Sequence, residues 1–485
     1  MMRATEFWII PMLLWAVTSC QHKKEVAEPE PLGPIPTKDQ MAWHRMEMNA
    51  FVHFSINTFT DREWGYGDEP PELFDPSAFD SDQWMSVLEE TGFKGVILTA
   101  KHHDGFALWP SAYTEHSIKN SPFRSGNGDV VRSVSESAAR YGLKFGVYLS
   151  PWDRNHADYG NPSYIDYYRN QLRELFTGYG PIFEMWFDGA NGGDGHYGGA
   201  RERRTIDREH YYDWPNTLGM VDSIQPHVVF FSDAGPDLRW VGNERGVAGT
   251  TNWNTISPDT LYAGKAGIED LLQKGTAGGS RWIPAEVDVS IRPGWFYHKD
   301  QDSLVKTPEE LFQIYLTSVG RGSNLLLNVP PDTTGQFHAE DVMSLQGFKK
   351  ILDSVFQHDL ARSIQVSAST VRGGDREYSP LNLTDGDPAT YWATDDGITS
   401  ASLTLELDGE TELGYLLLQE YIELGQRVEA FDILVWKQGQ WKKVTGGTTI
   451  GYKRILPLDG VRTSKVKIEI KEALGCPLIS NVEIY

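Results

Sequence analysis

The chain has 485 residues, 40% of them hydrophobic and 12% aromatic, which is too long for one ordinary domain and enough for a large core. Its formal net charge of −23 argues against nucleic acid or an anionic membrane surface as a ligand, because both require a basic protein surface. We therefore expect two or three domains and a neutral substrate.

The first 20 residues are typical of a bacterial export signal. A basic start at Arg3 precedes an apolar run over 7–17 that is too short to span a bilayer. Val17-Thr18-Ser19-Cys20 resembles a lipobox, so we expect a lipid at Cys20 as the only membrane contact, with an ordinary cleaved signal as the alternative. Residues 21–38, rich in Pro and Glu, would then be an extended tether. The patterns predict an exported bacterial lipoprotein, periplasmic or on the cell surface.

Between 39 and 360 the pattern alternates between apolar strands and amphipathic helices. The predicted strands are 50–55, 95–100, 144–150, 182–187, 228–233, 282–287 and 324–329. The predicted helices are 82–91, 129–141, 164–179, 211–225, 307–319 and 339–356, and the Gly-rich stretch 240–280 is assigned to loops or a small insertion. Runs of consecutive apolar residues are typical of a parallel sheet that is covered on both faces. We predict an α/β fold with a (β/α)8-like catalytic barrel in which a helix could be missing or replaced.

The segment 361–485 has a different pattern, with short alternating strands separated by turns and no long helix. This predicts a second domain, an antiparallel β-sandwich. The stretch 382–392 resembles the opening of discoidin-like (F5/8 type C) sugar-binding modules. Such modules often hold calcium in that loop, and Asp385 and Asp387 offer suitable oxygen ligands. A turn without metal is an almost equal alternative.

A predicted strand that ends in Asp188 is the stretch around which we expect the site to form. Residues 182–187 are mostly apolar, and the chain after Gly189 consists of glycine, asparagine and charge. Parallel α/β barrels carry their catalytic groups at the carboxyl ends of strands. Asp188 is therefore a candidate catalytic carboxylate, and capping of the Asp-Gly turn is an equally weighted alternative.

Polar and aromatic side chains follow two other predicted strands. The first strand carries His53 and is followed by Glu63 and Trp64, and His102 and His103 end the second. A metal site is disfavoured because adjacent residues of a strand point to opposite faces, and because the two cysteines Cys20 and Cys476 cannot form a cysteine metal site. His, Glu and Trp at strand ends suit a small polyhydroxylated ligand, although any single histidine could be a core residue.

Four motifs resemble the α-L-fucosidases of glycoside hydrolase family 29. They are His53-Phe54-Ser55, Thr99-Ala100-Lys101-His102-His103-Asp104-Gly105-Phe106, Trp186-Phe187-Asp188-Gly189 and Arg321-Gly322-Ser323-Asn324-Leu325-Leu326-Leu327-Asn328-Val329. The resemblance implies a barrel, a retaining two-step hydrolysis, no cofactor and Asp188 as the nucleophile. The fucose-binding residues that it implies are His53, Glu63, Trp64, His102, His103, Tyr148, Trp186 and Arg239.

The acid/base is less determined. The stretch 286–297 resembles the branch of the family that is restricted to α-1,3/1,4-linked fucose, which implies Glu286. The role requires a carboxyl that stays protonated near neutral pH, and nearby tryptophans could raise its pKa. Asp288, Glu244 and Glu63 are the competing candidates, and a salt bridge with Arg292 is the structural alternative for Glu286.

These observations predict a retaining exo-α-L-fucosidase that removes terminal α-1,3/1,4-linked fucose from branched, Lewis-type oligosaccharides or glycoconjugates. Trp295 is expected on the leaving-group side of the pocket. Two alternatives remain open at this point. One is a different retaining barrel glycosidase, and the other is a glycan-binding surface lipoprotein whose barrel is catalytically idle.

Overall fold

A closed parallel barrel forms the first part of the fold. The computed structural model describes residues 26–362 and 364–485. Barrel strands β1 to β8 are Met48–Val52, Gly95–Lys101, Lys144–Leu149, Glu184–Trp186, Val229–Ser232, Leu238–Trp240, Ala285–Ser290 and Asn324–Asn328. Each strand pairs in parallel with its neighbours in chain order, and β8 closes on β1. The predicted barrel is therefore confirmed.

Helices cover the outside of the barrel and close its lower end. Helices α1 to α9 are Lys38–His44, Ile56–Thr60, Ser81–Glu90, Val130–Arg140, Ser163–Gly178, Trp214–Ile224, Glu269–Lys274, Pro308–Thr317 and Ala339–Val355. Helix α1 begins with a capping box between Thr37 and Gln40. It inserts Trp43 into the barrel interior, where the indole Nε1 donates to Glu184 Oε2 at 3.1 Å.

The barrel departs from the predicted pattern between β5 and β7. Only five residues connect β5 to β6, so the expected helix is missing, and β6 itself was not predicted. Strand β7 begins three residues later than predicted because Trp282 belongs to a separate antiparallel pair with Thr255. Pro284 follows, and β7 starts after it. The carboxyl end of β7 is therefore at Ser290, three residues beyond the predicted end.

A buried ion pair connects β2 to the loop after β3. Lys101 is fully buried, and its Nζ lies 3.0 Å from Asp153 Oδ2 and 2.9 Å from Gln171 Oε1. Removing one partner leaves an uncompensated buried charge. We expect Lys101→Met to lower the free energy of unfolding by about 3–5 kcal/mol. Exposed Lys94, also close to β2, is the matched control, and urea denaturation should show no comparable loss in Lys94→Met. Equal midpoints for the two variants would contradict this assignment.

The second part of the fold is an antiparallel sandwich domain. Its strands β9 to β15 are Gln365–Ala368, Trp392–Ala393, Ala401–Glu420, Val428–Lys437, Gln440–Gly447, Arg454–Ala473 and Leu478–Ile484. The 20-residue strands β11 and β14 pair along most of their length and bend at register shifts. Their inward side chains form a core separate from that of the barrel. The predicted antiparallel sandwich is confirmed.

The sandwich packs directly on the barrel. Leu417 and Ile455 from β11 and β14 join the barrel's hydrophobic core. Arg454 Nη2 donates to the carbonyl of Thr250 at 2.8 Å, and Gln426 Oε1 accepts from the backbone N–H of Asn254 at 2.8 Å. These buried polar contacts fix the loops that follow β6.

The described part of the predicted tether lies against the sandwich. Over 26–36 the chain has no helix or strand, but its carbonyls are hydrogen-bonded. Arg427 Nη2 donates to Glu30 O at 2.7 Å, and Arg372 Nε donates to Ala27 O at 2.7 Å. The predicted signal 1–20 and tether residues 21–25 lie outside the described residues. Within 26–362 and 364–485, no helix is long and apolar enough to cross a bilayer.

Candidate active site

A pocket of about 340 Å³ opens at the carboxyl ends of the barrel strands. This volume is within the usual range for small-molecule sites. Its wall consists of strand-end and loop side chains, which are Phe51, His53, Glu63, Trp64, His102, His103, Tyr148, Trp186, Asp188, Ala190, Glu244, Asp288 and Trp295. The structure thus brings together nine of the eleven site residues predicted from the sequence.

Asp188 stands two residues beyond β4, at the position expected for a catalytic carboxylate of a barrel. Its Oδ1 accepts the backbone N–H of Ala190 at 2.6 Å, and its Oδ2 accepts the hydroxyl of Tyr148 at 3.0 Å. Burial raises the pKa of Asp188, and these two donors counteract the rise. A quarter of the side chain remains exposed to the pocket, so the carboxylate is both oriented and accessible.

Gly189 has no room for a side chain. The carboxylate of Asp233, at the end of β5, lies where a Cβ would stand. Asp233 Oδ2 also accepts the backbone N–H of Gly264 at 2.8 Å, which joins the loop around residue 264 to the Asp188 loop. Burial raises the pKa of Asp233 to about 6. The glycine after Asp188 is therefore required by close packing rather than by a left-handed turn.

Three histidines line the pocket, and all three are neutral bases. Strand β2 ends at Lys101, so the strand alternation no longer applies to His102 and His103, whose ring centroids lie 4.1 Å apart. Burial lowers the pKa of both His53 and His103 to about 3. Among the described residues, no group of three or more His, Cys, Asp or Glu side chains is arranged to hold a metal.

Fixed partners determine which ring nitrogens face the pocket. His53 Nδ1 lies 2.8 Å from Asn328 Oδ1, which can only accept, so Nδ1 donates and Nε2 is an acceptor. His103 Nδ1 pairs with Ser150 Oγ at 2.7 Å, while its Nε2 lies 3.9 Å from Asp188 Oδ2. Neutral imidazoles of this kind bind hydroxyl groups without adding charge to the pocket.

Aromatic rings form the floor and rim of the pocket. Trp186 stacks on Phe231 with ring centroids 4.1 Å apart, and Tyr148 stacks on Trp186 with ring centroids 5.5 Å apart. Trp64 is 52% exposed at the rim and stands edge-on to His103. Flat apolar faces beside hydrogen-bonding groups are suited to a sugar ring, which has apolar C–H faces and polar edges.

Two further carboxyls, Glu244 and Asp288, also line the pocket. Glu244 lies at the mouth, and Trp295 Nε1 donates to its Oε2 at 3.3 Å. Partial burial raises the pKa of Glu244, and the charges of Asp188 and Glu63 add to the rise. Asp288 is buried deeper, its pKa is raised by burial, and Trp240 Nε1 donates to its Oδ1 at 2.8 Å. The pocket thus combines an oriented carboxylate with two carboxyls whose pKa is raised.

Comparison with known proteins decides the family. The Alpha-L-fucosidase family model matches residues 13–354, and the F5/8 type C domain model matches 365–483. The chain belongs to the alpha-L-fucosidase family. It is a glycoside hydrolase, and the alternatives of another barrel glycosidase and an idle glycan-binding protein are set aside.

Relatives and solved structures agree with this assignment. The chain is 40% identical over 463 residues to Alpha-L-fucosidase 1 of Arabidopsis thaliana, covering 94% of this chain and 88% of the relative. A putative alpha-L-fucosidase from Bacteroides thetaiotaomicron is similar, with 37% identity, a TM-score of 0.87 and coverage of 94% and 99%. A Ruminococcus gnavus family 29 fucosidase in complex with fucose is 31% identical, with a TM-score of 0.85 and coverage of 95% and 97%.

Glu286 of this fucosidase does not line the pocket, which corrects the acid/base prediction. Its side chain is fully buried, Trp186 Nε1 donates to its Oε1 at 3.0 Å, and its other neighbour is the carboxyl of Glu184. In β7 the residues 286, 288 and 290 alternate inward, so Glu286 lies about 6.6 Å below Asp288 along the strand. Burial raises the pKa of Glu286 to about 7, but its carboxyl is not among the groups that line the pocket.

Arg239 is the second correction, because it does not face the sugar pocket. The guanidinium is fully buried, and it donates to backbone carbonyls of Leu272 at 2.8 Å and of Trp253 at 2.8 Å. Its donors are thus used to fix the loops after β6. The alternative of a Glu286–Arg292 salt bridge is also wrong, because Arg292 pairs with Asp341 at 2.9 Å.

Calcium in the sandwich loop is not favoured by the donor geometry. Asp385 Oδ1 accepts the N–H of Asp387 at 2.8 Å, and its Oδ2 accepts the hydroxyl of Thr390 at 2.8 Å. Asp387 Oδ1 accepts the N–H of Ala389 at 2.9 Å. These bonds stabilise the turn without a cation.

Proposed function

We propose that the fucosidase works by a retaining mechanism on single terminal residues, with Asp188 as the nucleophile and Glu244 as the acid/base. The observation that supports this assignment is that these two carboxyls line the same one-sugar pocket while Glu286 lies outside it. Asp188 is oriented by two hydrogen-bond donors. Glu244 is at the mouth, where a leaving group must exit, and its raised pKa favours the protonated form that a general acid requires.

In the first step, Asp188 attacks the anomeric carbon and the bond from that carbon to the glycosidic oxygen breaks. Glu244 donates its proton to the departing oxygen. Tyr148 directs its hydroxyl at the attacking carboxylate and so limits the orientations available to it. The product of this step is a fucosyl ester on Asp188 and a free acceptor sugar.

In the second step, Glu244 removes a proton from water, and the water oxygen attacks the same carbon. The ester bond to Asp188 breaks, which restores both carboxyls and releases fucose with its original anomeric configuration. The neutral histidines hold the sugar hydroxyls during both steps. Because Glu244 must be protonated for the first step, activity falls as the pH rises through its raised pKa.

Asp288 is the remaining alternative for the acid, since it also lines the pocket and its pKa is raised by burial. It is 3% exposed and its Oδ1 is bonded to Trp240, so a leaving group has less access to it than to Glu244. Glu63 is less suitable because its carboxylate accepts from His298 and from the backbone N–H of Trp295. These bonds occupy both of its oxygens.

For the substrate we propose α-1,3/1,4-linked fucose on branched, Lewis-type glycans. Trp295, partly exposed beside Glu244, is available to contact the sugar that leaves. Tyr297 does not contribute, because its ring is buried under the guanidinium of Arg292. Binding energy from a branched acceptor can lower the barrier only for substrates that have that acceptor.

We therefore expect catalytic efficiency on a Lewis-type trisaccharide to exceed that on nitrophenyl fucoside and on an α-1,2-linked trisaccharide by about tenfold or more. Release of free fucose from each compound, measured at equal enzyme concentration, checks the prediction. Trp295→Ala should remove most of the preference while sparing the nitrophenyl compound. Equal efficiency on the three compounds would contradict the proposed linkage specificity.

We also propose that the protein is exported and held at a membrane through a lipid on Cys20, in the periplasm or at the cell surface. The support is the N-terminal sequence pattern alone. Mass spectrometry of the mature N-terminus from a bacterial host tests this, with Cys20→Ser as the variant expected to lose the lipid. An unmodified chain that is cleaved elsewhere would contradict the anchor.

A further inference from the structure

His298 bridges two carboxylates behind the pocket. Its Nδ1 lies 2.6 Å from Asp61 Oδ1, and its Nε2 lies 2.6 Å from Glu63 Oε1. The imidazole is 11% exposed, Asp61 is 80% exposed, and only Glu63 of the three lines the sugar pocket. Carboxylates accept hydrogen bonds and do not donate them when ionised, so the ring must carry protons on both nitrogens to make both bonds.

The carboxylate that His298 holds is also bound to the segment carrying Trp295. Glu63 Oε2 accepts the backbone N–H of Trp295 at 2.9 Å, and Oε1 accepts that of Phe296 at 3.3 Å. Gly294 packs so closely on Oε1 that a Cβ would not fit there. Trp295 in turn donates from Nε1 to Glu244. Glu63 therefore connects the loop after β1 with the wall on the leaving-group side.

We propose that His298, as an imidazolium, is a positioning residue that holds Glu63 and the Trp295 segment in the arrangement that binds the sugar. It acts through Glu63 and does not touch the substrate. The inference rests on the proposed role of the pocket as a fucose site and adds a proton-dependent control of that site. Loss of the ring proton leaves only one N–H, so one of the two carboxylates loses its donor.

The direction of the pH effect follows from the charges around the ring. Burial alone would lower the pKa of His298, but its bonds to Asp61 and Glu63 outweigh burial and raise that pKa. Asp61 and Glu63 are the charged groups that face the ring, and the exposed neighbours Lys299 and Asp300 have opposite charges. The bridge is thus intact at low pH and is lost as the pH rises through the raised pKa of His298.

Binding of L-fucose to Asp188→Asn protein tests this without interference from catalysis or from the titration of Asp188. Isothermal titration between about pH 5 and pH 9 should show weaker binding at the alkaline end, by about threefold to tenfold. Asp61→Asn, which removes an exposed charge, should move this change to lower pH by about one unit. His298→Gln should abolish the change and bind at the weaker level throughout.

His210→Gln is the matched control. His210 pairs with Asp207 at 3.0 Å on the surface, away from the pocket, so its loss should leave the curve unchanged. An unshifted curve in Asp61→Asn, or a pH-dependent curve that persists in His298→Gln, would overturn the positioning role. Absence of fucose binding at every pH in the Asp188→Asn protein would instead overturn the pocket assignment, and the positioning role with it.

Discussion

Asp188→Asn is expected to lower kcat by about 10³-fold or more on every fucoside, because the amide cannot form the covalent ester. The variant should still fold and bind fucose, since Asn keeps the shape of the side chain. Its oxygen can accept the Ala190 N–H, and its NH2 can donate to the Tyr148 hydroxyl oxygen. Steady-state kinetics together with a fucose titration measure both properties.

Asp194→Asn provides the control for this experiment. Asp194 belongs to the same Gly-rich region but is 63% exposed, and it pairs only with the exposed Arg203 at 3.7 Å. Surface pairs of this kind contribute little to stability, so its kcat should remain within about twofold of the parent. A kcat for Asp188→Asn within the same range as Asp194→Asn would refute the nucleophile assignment.

The second large effect is expected from Glu244→Gln, and it should depend on the leaving group. A natural sugar leaving group needs a proton, so its hydrolysis should fall by about 10²- to 10⁴-fold. Nitrophenolate leaves without a proton, so the same variant should lose much less on nitrophenyl fucoside. The ratio of the two losses, measured as kcat/KM, isolates the acid role from general damage to the pocket.

Glu286→Gln distinguishes Glu244 from Glu286 as the acid/base. The amide oxygen can still accept from Trp186 Nε1, so we expect a modest loss that is equal for both leaving groups. Asp288→Asn should behave in the same way if Glu244 is the acid. A leaving-group-dependent loss in Glu286→Gln or Asp288→Asn, with none in Glu244→Gln, would transfer the acid role to that residue.

The position of Asp188 was predictable because its signal is local. An apolar strand that ends in a carboxylate and a glycine determines where the side chain stands in a parallel barrel, whatever the rest of the chain does. The reason for Gly189 was not predictable. It depends on the carboxylate of Asp233 from the next strand, and no pattern near residue 189 indicates that contact.

Glu286 was predicted from the resemblance of 286–297 to one branch of the family, and the predicted strand 282–287 placed it near a carboxyl end, whereas β7 ends at Ser290. Trp282 is apolar and looks like the first residue of β7, yet it pairs with Thr255 in a separate small sheet. When β7 begins at Ala285, alternation places both Glu286 and Asp288 inside the barrel, but only Asp288 reaches the pocket. The resemblance does not indicate depth in the barrel, and the shift of three residues moves Glu286 from the expected carboxyl end to the buried start of β7.

Glu244 was recognised only as a competitor because the strand before it carries almost no pattern. Strand β6 has three residues, and no helix separates it from β5. One of these residues, Arg239, was expected in the fucose pocket from the family resemblance, while its donors are in fact used by backbone carbonyls. Such a buried cation depends on distant loops, which sequence periodicity does not describe.

Trapping of the covalent intermediate tests the central claim most directly. A 2-deoxy-2-fluoro-L-fucosyl fluoride should transfer its fluorofucosyl group to the nucleophile with loss of the anomeric fluoride. The resulting ester should hydrolyse slowly, because the 2-fluorine destabilises the positively charged transition state of the second step. Peptide mass spectrometry of the inactivated fucosidase should find one fluorofucosyl group, on Asp188. A label on another carboxyl would contradict Asp188 as the nucleophile, and no label on an enzyme that still hydrolyses fucosides would contradict the proposed two-step mechanism.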